Sequence, residues 1–162
     1  MDGNPVAKEL RRRVSSRAVV AGPIKAAGAL FYSANTHRYL FLLRDGDKYH
    51  DTWGIVGGKV ESGESIIDCL NREMVEELGF QPTTIKTIPV DLFISPDTRF
   101  EYHTFVCIVR DEFIPTLNEE HKGYCWTTLD GMPKPLHPGL FNSINMDELK
   151  AKFKNIDSTV WA

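Results

Sequence analysis

The chain has 162 residues, 42% of them hydrophobic, which is enough for one packed core and one domain. Its formal net charge of -3 at pH 7 excludes a generally basic surface and argues against nucleic acid or an anionic membrane as a bulk partner. Its 3 cysteines form no CxxC pair, and no apolar run reaches the length of a membrane helix or a signal-peptide core, so we expect a cytoplasmic protein with free thiols.

The first 22 residues are basic, with five lysine and arginine residues against two acidic ones. Val6, Leu10 and Val14 recur at helical spacing, which fits a short helix packed on the domain or on a second subunit. An arm that contacts phosphates and a solvated terminus are the other interpretations. We therefore expect a basic arm over residues 1–22 and a domain over residues 23–162, as a monomer or a homodimer.

Two apolar runs, residues 24–32 and 39–43, predict central strands of a sheet. The polar residues 33–38 between them have the length of a hairpin connection. Arg44 ends the second run and begins a polar loop that continues to Trp53.

Residues 65–78 are predicted to form a helix, which Ser65 can cap together with Asp68 three residues later. Gly79 follows as a left-handed terminator. The apolar stripe that this helix would bury against a sheet consists of Ile67, Leu70, Met74 and Leu78.

Three glutamates, Glu73, Glu76 and Glu77, are nearest neighbours beside that stripe because they occupy positions i, i+3 and i+4. Like charges at this spacing repel, and two explanations are open. Either the face is solvated and Arg72 and Lys59 offset the charge, or a hard divalent cation binds there. Mg2+ takes oxygen ligands and binds through a few carboxylates together with substrate phosphates.

Beyond the helix, residues 84–94 and 100–109 are rich in β-branched and aromatic residues and flank the turn sequence SPDTR, so they predict an antiparallel hairpin. A polar loop over residues 111–123 precedes a predicted strand over residues 124–129. The second hairpin strand should have one buried face and one that lines a pocket. Its alternating sets are Phe100, Tyr102, Thr104 and Val106 on one face and Glu101, His103 and Phe105 on the other.

The C-terminal part is predicted to close the domain. Residues 131–139 contain three prolines and two glycines and should form a stiff irregular segment. A helix follows, restarting at position 145 or 146, and it should cover the opposite face of the sheet. Its apolar positions are Leu140, Ile144, Leu149 and Phe153.

One stretch matches a known signature. From Gly58 the chain has five residues, Glu64, seven residues and then REMVEELGF. This spacing, G-x5-E-x7-R-E-U-x-E-E-x-G-U with U a bulky apolar residue, resembles the box of the Nudix hydrolases at every constrained position. The family usually has proline before the paired glycines, where this chain has Val56, so less rigidity is expected in the loop. The resemblance is looser over residues 24–153, and the basic arm falls outside it.

The resemblance implies an α/β fold, namely an α/β/α sandwich with a mixed, largely antiparallel sheet between helices. It also implies Mg2+-dependent hydrolysis, with Mn2+ as the alternative metal, of a nucleoside diphosphate linked to another group. For a small domain we expect a nucleoside triphosphate or an oxidised dNTP, cleaved to monophosphate and pyrophosphate. ADP-ribose, nucleotide sugars, dinucleoside polyphosphates and capped RNA are alternative substrates. A non-catalytic nucleotide sensor and an RNA-processing protein that uses the basic arm are alternatives of another class.

By the same resemblance, the metal ligands are expected to be Glu73, Glu76, Glu77 and the Gly57 carbonyl. Glu120 would complete the metal site or act as the base.

The remaining catalytic roles are assigned within the site that the resemblance implies. Glu73 and Glu120 are the two candidates for the general base, and Glu119 is the second choice to Glu120. Arg72 is expected to orient a carboxylate through a charge-assisted pair. Glu64, at the start of the helix, would support the site or add a metal ligand.

Six residues are expected to contact the substrate. By the resemblance, Arg44 at a strand end and Arg99 at a turn would clamp phosphates, or each would simply be solvated. His137 would hydrogen-bond a base in a pocket walled by residues 131–139, or lie on the plain surface. The complete set is Arg44, Trp53, Gly58, Lys59, Arg99 and His137.

Overall fold

The computed structural model describes residues 22–161, so the predicted basic arm lies outside the described residues apart from Gly22. Within this range the chain forms seven strands and three α-helices, and a single 3-10 turn over Leu129–Gly131. The strands are β1 (Ile24–Ser33), β2 (Tyr39–Arg44), β3 (Trp53–Gly54), β4 (Val56–Lys59), β5 (Lys86–Ile94), β6 (Phe100–Val109) and β7 (His121–Thr127), and the helices are α1 (Ile66–Leu78), α2 (Pro138–Ile144) and α3 (Asp147–Trp161).

All seven strands belong to one mixed sheet with the order β3-β2-β1-β6-β5, in which β4 also pairs with β1 and β7 with β2. Only the β1–β6 pairing is parallel among the named strands; the others are antiparallel. Along one edge of β1 the partner changes, from β4 over Ala26–Ala29 to β2 at Tyr32. The sheet therefore divides beside β4, where the glycine loop enters.

Helices cover both faces of this sheet, which confirms the predicted α/β/α sandwich. On one face α1 buries Leu70, Met74 and Leu78 against a cluster that includes Ala27 and Phe31. On the other face α2 and α3 close a second cluster, as the C-terminal pattern predicts; its helical members are Ile144, Leu149, Phe153 and Ile156. Over residues 22–161 no helix is long and apolar enough to cross a membrane.

The ends of α1 are those predicted from the sequence. The Asp68 N–H donates to Ser65 Oγ at 3.0 Å, and the Ser65 N–H donates to Asp68 Oδ2 at 3.1 Å, so the capping box is complete. Gly79 ends the helix with φ of 83°, a conformation that favours glycine.

The buried face of α1 differs from the predicted stripe at Ile67, which is 47% exposed. Ile66 packs against the core instead, and Cys69 is fully buried. The reason is that the buried arc also contains Glu73 and Glu77. A prediction from apolar positions alone leaves carboxylates out of the buried arc, so the predicted stripe is centred too far from Glu73 and Glu77.

Two predictions about the later strands were wrong in detail. The burial of β6 does not alternate, because its second half from Thr104 to Val109 lies between β1 and β5 with helices above and below, and is buried throughout. β7 begins at His121 rather than at position 124, since its ladder with β2 continues past an irregularity at Leu43 to pair Arg44 with His121. The predicted hairpin of β5 and β6 is confirmed.

We expect Gly79→Ala to lower the free energy of unfolding by about 2 to 4 kcal/mol. The alanine would have to adopt a left-handed backbone conformation, and its Cβ would lie 2.8 Å from Thr116 Cβ. Gly63→Ala is the matched control, since Gly63 has φ of 84° but nothing within 4 Å of the added carbon; it should lose only about 1 to 2 kcal/mol. Urea unfolding measures both variants. Equal losses would show that the Thr116 contact is unimportant.

Candidate active site

Three carboxylates converge beside the second half of α1. Glu73 and Glu77 lie one turn apart on this helix, Glu120 precedes β7, and an oxygen of each lies within 4.8 Å of the others. Glu73 is 7% exposed and Glu77 3%, whereas Glu120 is exposed. The structure therefore brings Glu120, rather than its alternative Glu119, to the helix.

Asn118 and Asp45 hold the Glu120 loop in place. The Asn118 side-chain amide donates to the Glu76 carbonyl at 2.8 Å, and its oxygen accepts from the Glu120 N–H at 3.0 Å. The Asp45 N–H donates to the Glu120 carbonyl at 2.8 Å. The Asn118 side chain and the Asp45 backbone thus fix the loop, while the Glu120 carboxylate makes no hydrogen bond with any residue from 22 to 161.

The paired glycines lie directly against these carboxylates. The Gly57 N–H donates to Glu77 Oε1 at 3.1 Å. A Cβ at Gly58 would lie 2.6 Å from Glu73 Cδ, and one at Gly57 would lie 2.8 Å from the Gly28 Cα. Either side chain would displace the carboxylate or the neighbouring strand, so the close packing of β4 between β1 and α1 requires both glycines.

Arg72 is surrounded by carboxylates. Its Nε and Nη2 donate to the Glu64 carboxylate at 2.6 Å and 3.0 Å. Its Nη1 donates to Glu73 Oε1 at 2.8 Å and to Glu76 Oε2 at 3.2 Å. Nη2 also donates to the Lys59 carbonyl at 3.0 Å. Its donors are therefore engaged in holding the site together. Glu76 stays at this outer edge, half exposed, and is not one of the three converging carboxylates.

Burial opposes ionisation of the inner pair. It raises the pKa of the Glu77 carboxyl, and the charge of Glu73 adds to the effect, against the opposing Gly57 N–H. Burial also raises the pKa of Glu73, although its hydrogen bonds with Glu77 and Arg72 act in the opposite direction. Oxygen donors crowded at this depth fit a hard divalent cation, because the cation would compensate both the repulsion and the lost hydration.

A second group of predicted residues meets around β3. Arg44 donates from Nε and Nη2 to the Lys48 carbonyl, both at 3.2 Å. Burial lowers the pKa of His137, and the positive charge of Arg44 lowers it further. The His137 N–H donates to the Trp53 carbonyl at 2.8 Å, and its ring meets Tyr49 with centroids 4.3 Å apart. The structure thus joins Arg44, Trp53 and His137, while their contact with substrate remains a prediction.

The other two predicted substrate residues lie apart from this group. Lys59 ends β4 with its side chain exposed, and it forms no ion pair with residues 22–161. Arg99 lies in the exposed turn between β5 and β6, where its N–H donates to Asp97 Oδ1 at 3.0 Å and its carbonyl accepts from the Ile24 N–H at 2.8 Å. The structure does not bring Arg99 into contact with the carboxylates.

Sequence reasoning missed three residues near the site. His121 is 6% exposed, and burial together with the charge of Arg44 lowers its pKa to about 4. Tyr49 packs on His137, and the Tyr102 hydroxyl lies beside Gly57. None of them belongs to a motif, and only the pairing of distant strands reveals where they lie.

Comparison with known proteins gives the family. A model of the NUDIX domain matches residues 22–145. The chain is 32% identical over 114 residues to a dihydroneopterin triphosphate diphosphatase from Haemophilus influenzae, an alignment that covers 61% of this chain and 70% of that protein. It is 34% identical over 87 residues to the nucleoside triphosphatase NudI from Escherichia fergusonii, covering 46% of this chain and 60% of that protein.

A solved structure supports the fold. The MutT protein from Methanosarcina mazei matches with a TM-score of 0.61 at 24% identity, covering 84% of this chain and 96% of that one. With the box intact and the sandwich built around it, the chain belongs to the Nudix hydrolase family.

Proposed function

We propose that this protein hydrolyses a nucleoside triphosphate, oxidised dNTPs included, to the nucleoside monophosphate and pyrophosphate in a reaction that depends on a divalent metal. The observation that carries the proposal is the convergence of two buried carboxylates, Glu73 and Glu77, with the exposed Glu120. The choice of a triphosphate is supported by the names of the two relatives, a dihydroneopterin triphosphate diphosphatase and a nucleoside triphosphatase.

The residues that would hold the metal are Glu73, Glu77, Glu120 and the Gly57 carbonyl. We retain Glu76 as a further ligand because its carboxylate shares Nη1 of Arg72 with Glu73. A bound divalent cation, Mg2+ with Mn2+ as the alternative, supplies charge neutralisation at the diphosphate and a lowered pKa for water.

The chain itself supplies orientation and the base. Arg72 fixes Glu73 through Oε1, so that carboxylate is held in one direction within the buried cluster. Glu120 is exposed and makes no hydrogen bond through its carboxylate with residues 22–161, which leaves it able to accept a proton from water. Glu73 and Glu120 are thus the two groups proposed for the general base.

Nucleotide recognition is proposed for the group around β3. Arg44 carries the positive charge there, and the rings of Tyr49 and His137 contact each other. Trp53 is joined to His137 through its backbone carbonyl. An arginine suits the phosphates, and aromatic rings suit the flat face of a base.

The direct test is a panel of nucleoside triphosphates, oxidised dNTPs, ADP-ribose, nucleotide sugars, dinucleoside polyphosphates and capped RNA with Mg2+ or Mn2+. Phosphorus NMR in heavy-oxygen water identifies the products and the phosphorus attacked. We expect a triphosphate to give monophosphate and pyrophosphate. Preferred cleavage of ADP-ribose would replace the substrate assignment, and no cleavage of any compound would contradict the proposed activity.

Glu77→Gln is expected to lower kcat by at least about 100-fold, since it removes a charged ligand from the centre of the cluster. Glu148→Gln is the matched control, because Glu148 is exposed on α3 and, among residues 22–161, pairs only with Lys152 at 3.6 Å; it should retain wild-type kcat. Steady-state kinetics and circular dichroism separate lost chemistry from lost folding. Full activity of a folded Glu77→Gln protein would contradict the site.

The same variant tests the burial of Glu77 without substrate. Its pKa is raised in the folded state from an ordinary value of 4.5, so the unfolded chain releases a proton that the folded metal-free protein retains. The protonated Glu77 carboxyl therefore makes its full contribution to the stability of the folded protein below pH 4.5, and this contribution is lost progressively as the pH rises. In EDTA we expect Glu77→Gln to be more stable than wild type by a margin that grows from pH 5 to pH 8.

Added Mg2+ should reverse this order, raising the Tm of wild type and of Glu148→Gln while leaving that of Glu77→Gln almost unchanged. Thermal unfolding in EDTA and in Mg2+ provides the measurement. A stability difference between Glu77→Gln and wild type that does not change with pH in EDTA would mean that Glu77 ionises normally in the folded protein.

A further inference from the structure

The Tyr102 hydroxyl occupies a space that two glycines leave open. Tyr102 lies on β6 opposite Ala26 of β1, while Gly28 of β1 and Gly57 of β4 are register partners. A Cβ at Gly28 would overlap the hydroxyl and lie 2.9 Å from Tyr102 Cζ; one at Gly57 would lie 3.1 Å from the hydroxyl oxygen. The phenol therefore reaches across β1 to the glycine loop of the site.

Glycine at position 28 is explained by this space rather than by backbone conformation. Among the described residues the glycines with positive φ are Gly63 and Gly79, so Gly28 adopts an ordinary strand conformation. Glycine inside a strand weakens it, and such a position often marks the close approach of another group. Here that group is the end of the Tyr102 side chain, with Ile55 Cδ1 also 2.9 Å from the position of a Cβ.

The hydroxyl lies at the carboxylate half of the site, because it is beside Gly57 and the Gly57 N–H donates to Glu77 Oε1 at 3.1 Å. The Tyr102 side chain is half-buried, and its hydroxyl makes no hydrogen bond with any residue from 22 to 161. A phenol O–H is a hydrogen-bond donor, so it is left able to bind a ligand.

We propose that the Tyr102 hydroxyl binds substrate, donating a hydrogen bond to an oxygen of the diphosphate beside Gly57 and the carboxylate cluster; this inference rests on the proposed function. An anionic oxygen held beside three carboxylates requires donors to offset their repulsion. A phenol provides one without a charge, and a hydrogen bond to a charged acceptor is stronger than one between neutral groups.

Tyr102→Phe tests the hydroxyl while keeping the ring. We expect kcat/KM for the best triphosphate to fall about 10-fold or more, with an unchanged Tm. The affinity for magnesium pyrophosphate, measured by calorimetry without turnover, should weaken by a similar factor. Wild-type kcat/KM together with wild-type pyrophosphate affinity would overturn the proposal.

Tyr39→Phe is the matched control. The Tyr39 hydroxyl likewise has no hydrogen-bond partner among the described residues, and it is fully buried. Its ring packs on Phe153 of α3, with centroids 5.7 Å apart. Removing it should change neither kcat/KM nor pyrophosphate affinity. Equal losses in both variants would show a general packing effect and overturn the role of Tyr102.

Gly28→Ala gives an independent test, because the added methyl group would push the hydroxyl from its place. We expect this variant to lose kcat/KM to the same extent as Tyr102→Phe. The double variant should lose no more than either single variant, since the displaced group is already absent. If the fold-losses of kcat/KM in the two single variants multiply in the double variant, the two substitutions do not act through the same displaced hydroxyl.

Failure of this inference can be told apart from failure of the proposed function. If wild type cleaves no nucleotide, the proposed activity is wrong, and the pyrophosphate titration still tests the hydroxyl. If wild type cleaves triphosphates and Tyr102→Phe equals it in both measurements, only the role of Tyr102 is wrong.

Discussion

The burial of two glutamates on the packing face of α1 is the constraint on which the site depends. Glu73 and Glu77 lie within the same arc of the helix as Leu70 and Met74, so one surface serves both the core and the chemistry. Taking like charges out of water is costly. A single backbone N–H at Gly57 and the guanidinium of Arg72 offset part of that cost, and the remainder makes the cluster receptive to a cation.

Close packing around β4 follows from this constraint. The carboxylates can reach the glycine loop only if the loop has no side chains on that side, and Gly58 leaves this room for Glu73. Gly57 and Gly28 do the same between β4 and β1, where the Tyr102 hydroxyl uses the space. These three glycines thus matter mainly because they have no side chain. None of them is among the positive-φ glycines of the described chain.

The change of partner along β1 gives the site its two halves. Where β4 pairs with β1, the glycine loop faces α1 and its carboxylates. Where β2 extends toward β3, Arg44, Trp53 and His137 gather beside the segment that leads into α2. One strand therefore connects the half proposed to bind the metal to the half proposed to hold the nucleotide.

The sequence by itself determined the features that depend on neighbours along the chain: the Ser65 capping box, the Gly79 terminator, the β5–β6 hairpin, the break between α2 and α3, and the box that identifies the family. Only the tertiary structure decided that Glu120 rather than Glu119 meets the helix, that Glu76 stays with Arg72, that Ile67 is exposed, and that Tyr102 reaches Gly57. The physical reason is range. Caps and turns are set by contacts within a few residues, whereas the depth of a carboxylate and the partner of a hydroxyl depend on which strands and loops pack against them.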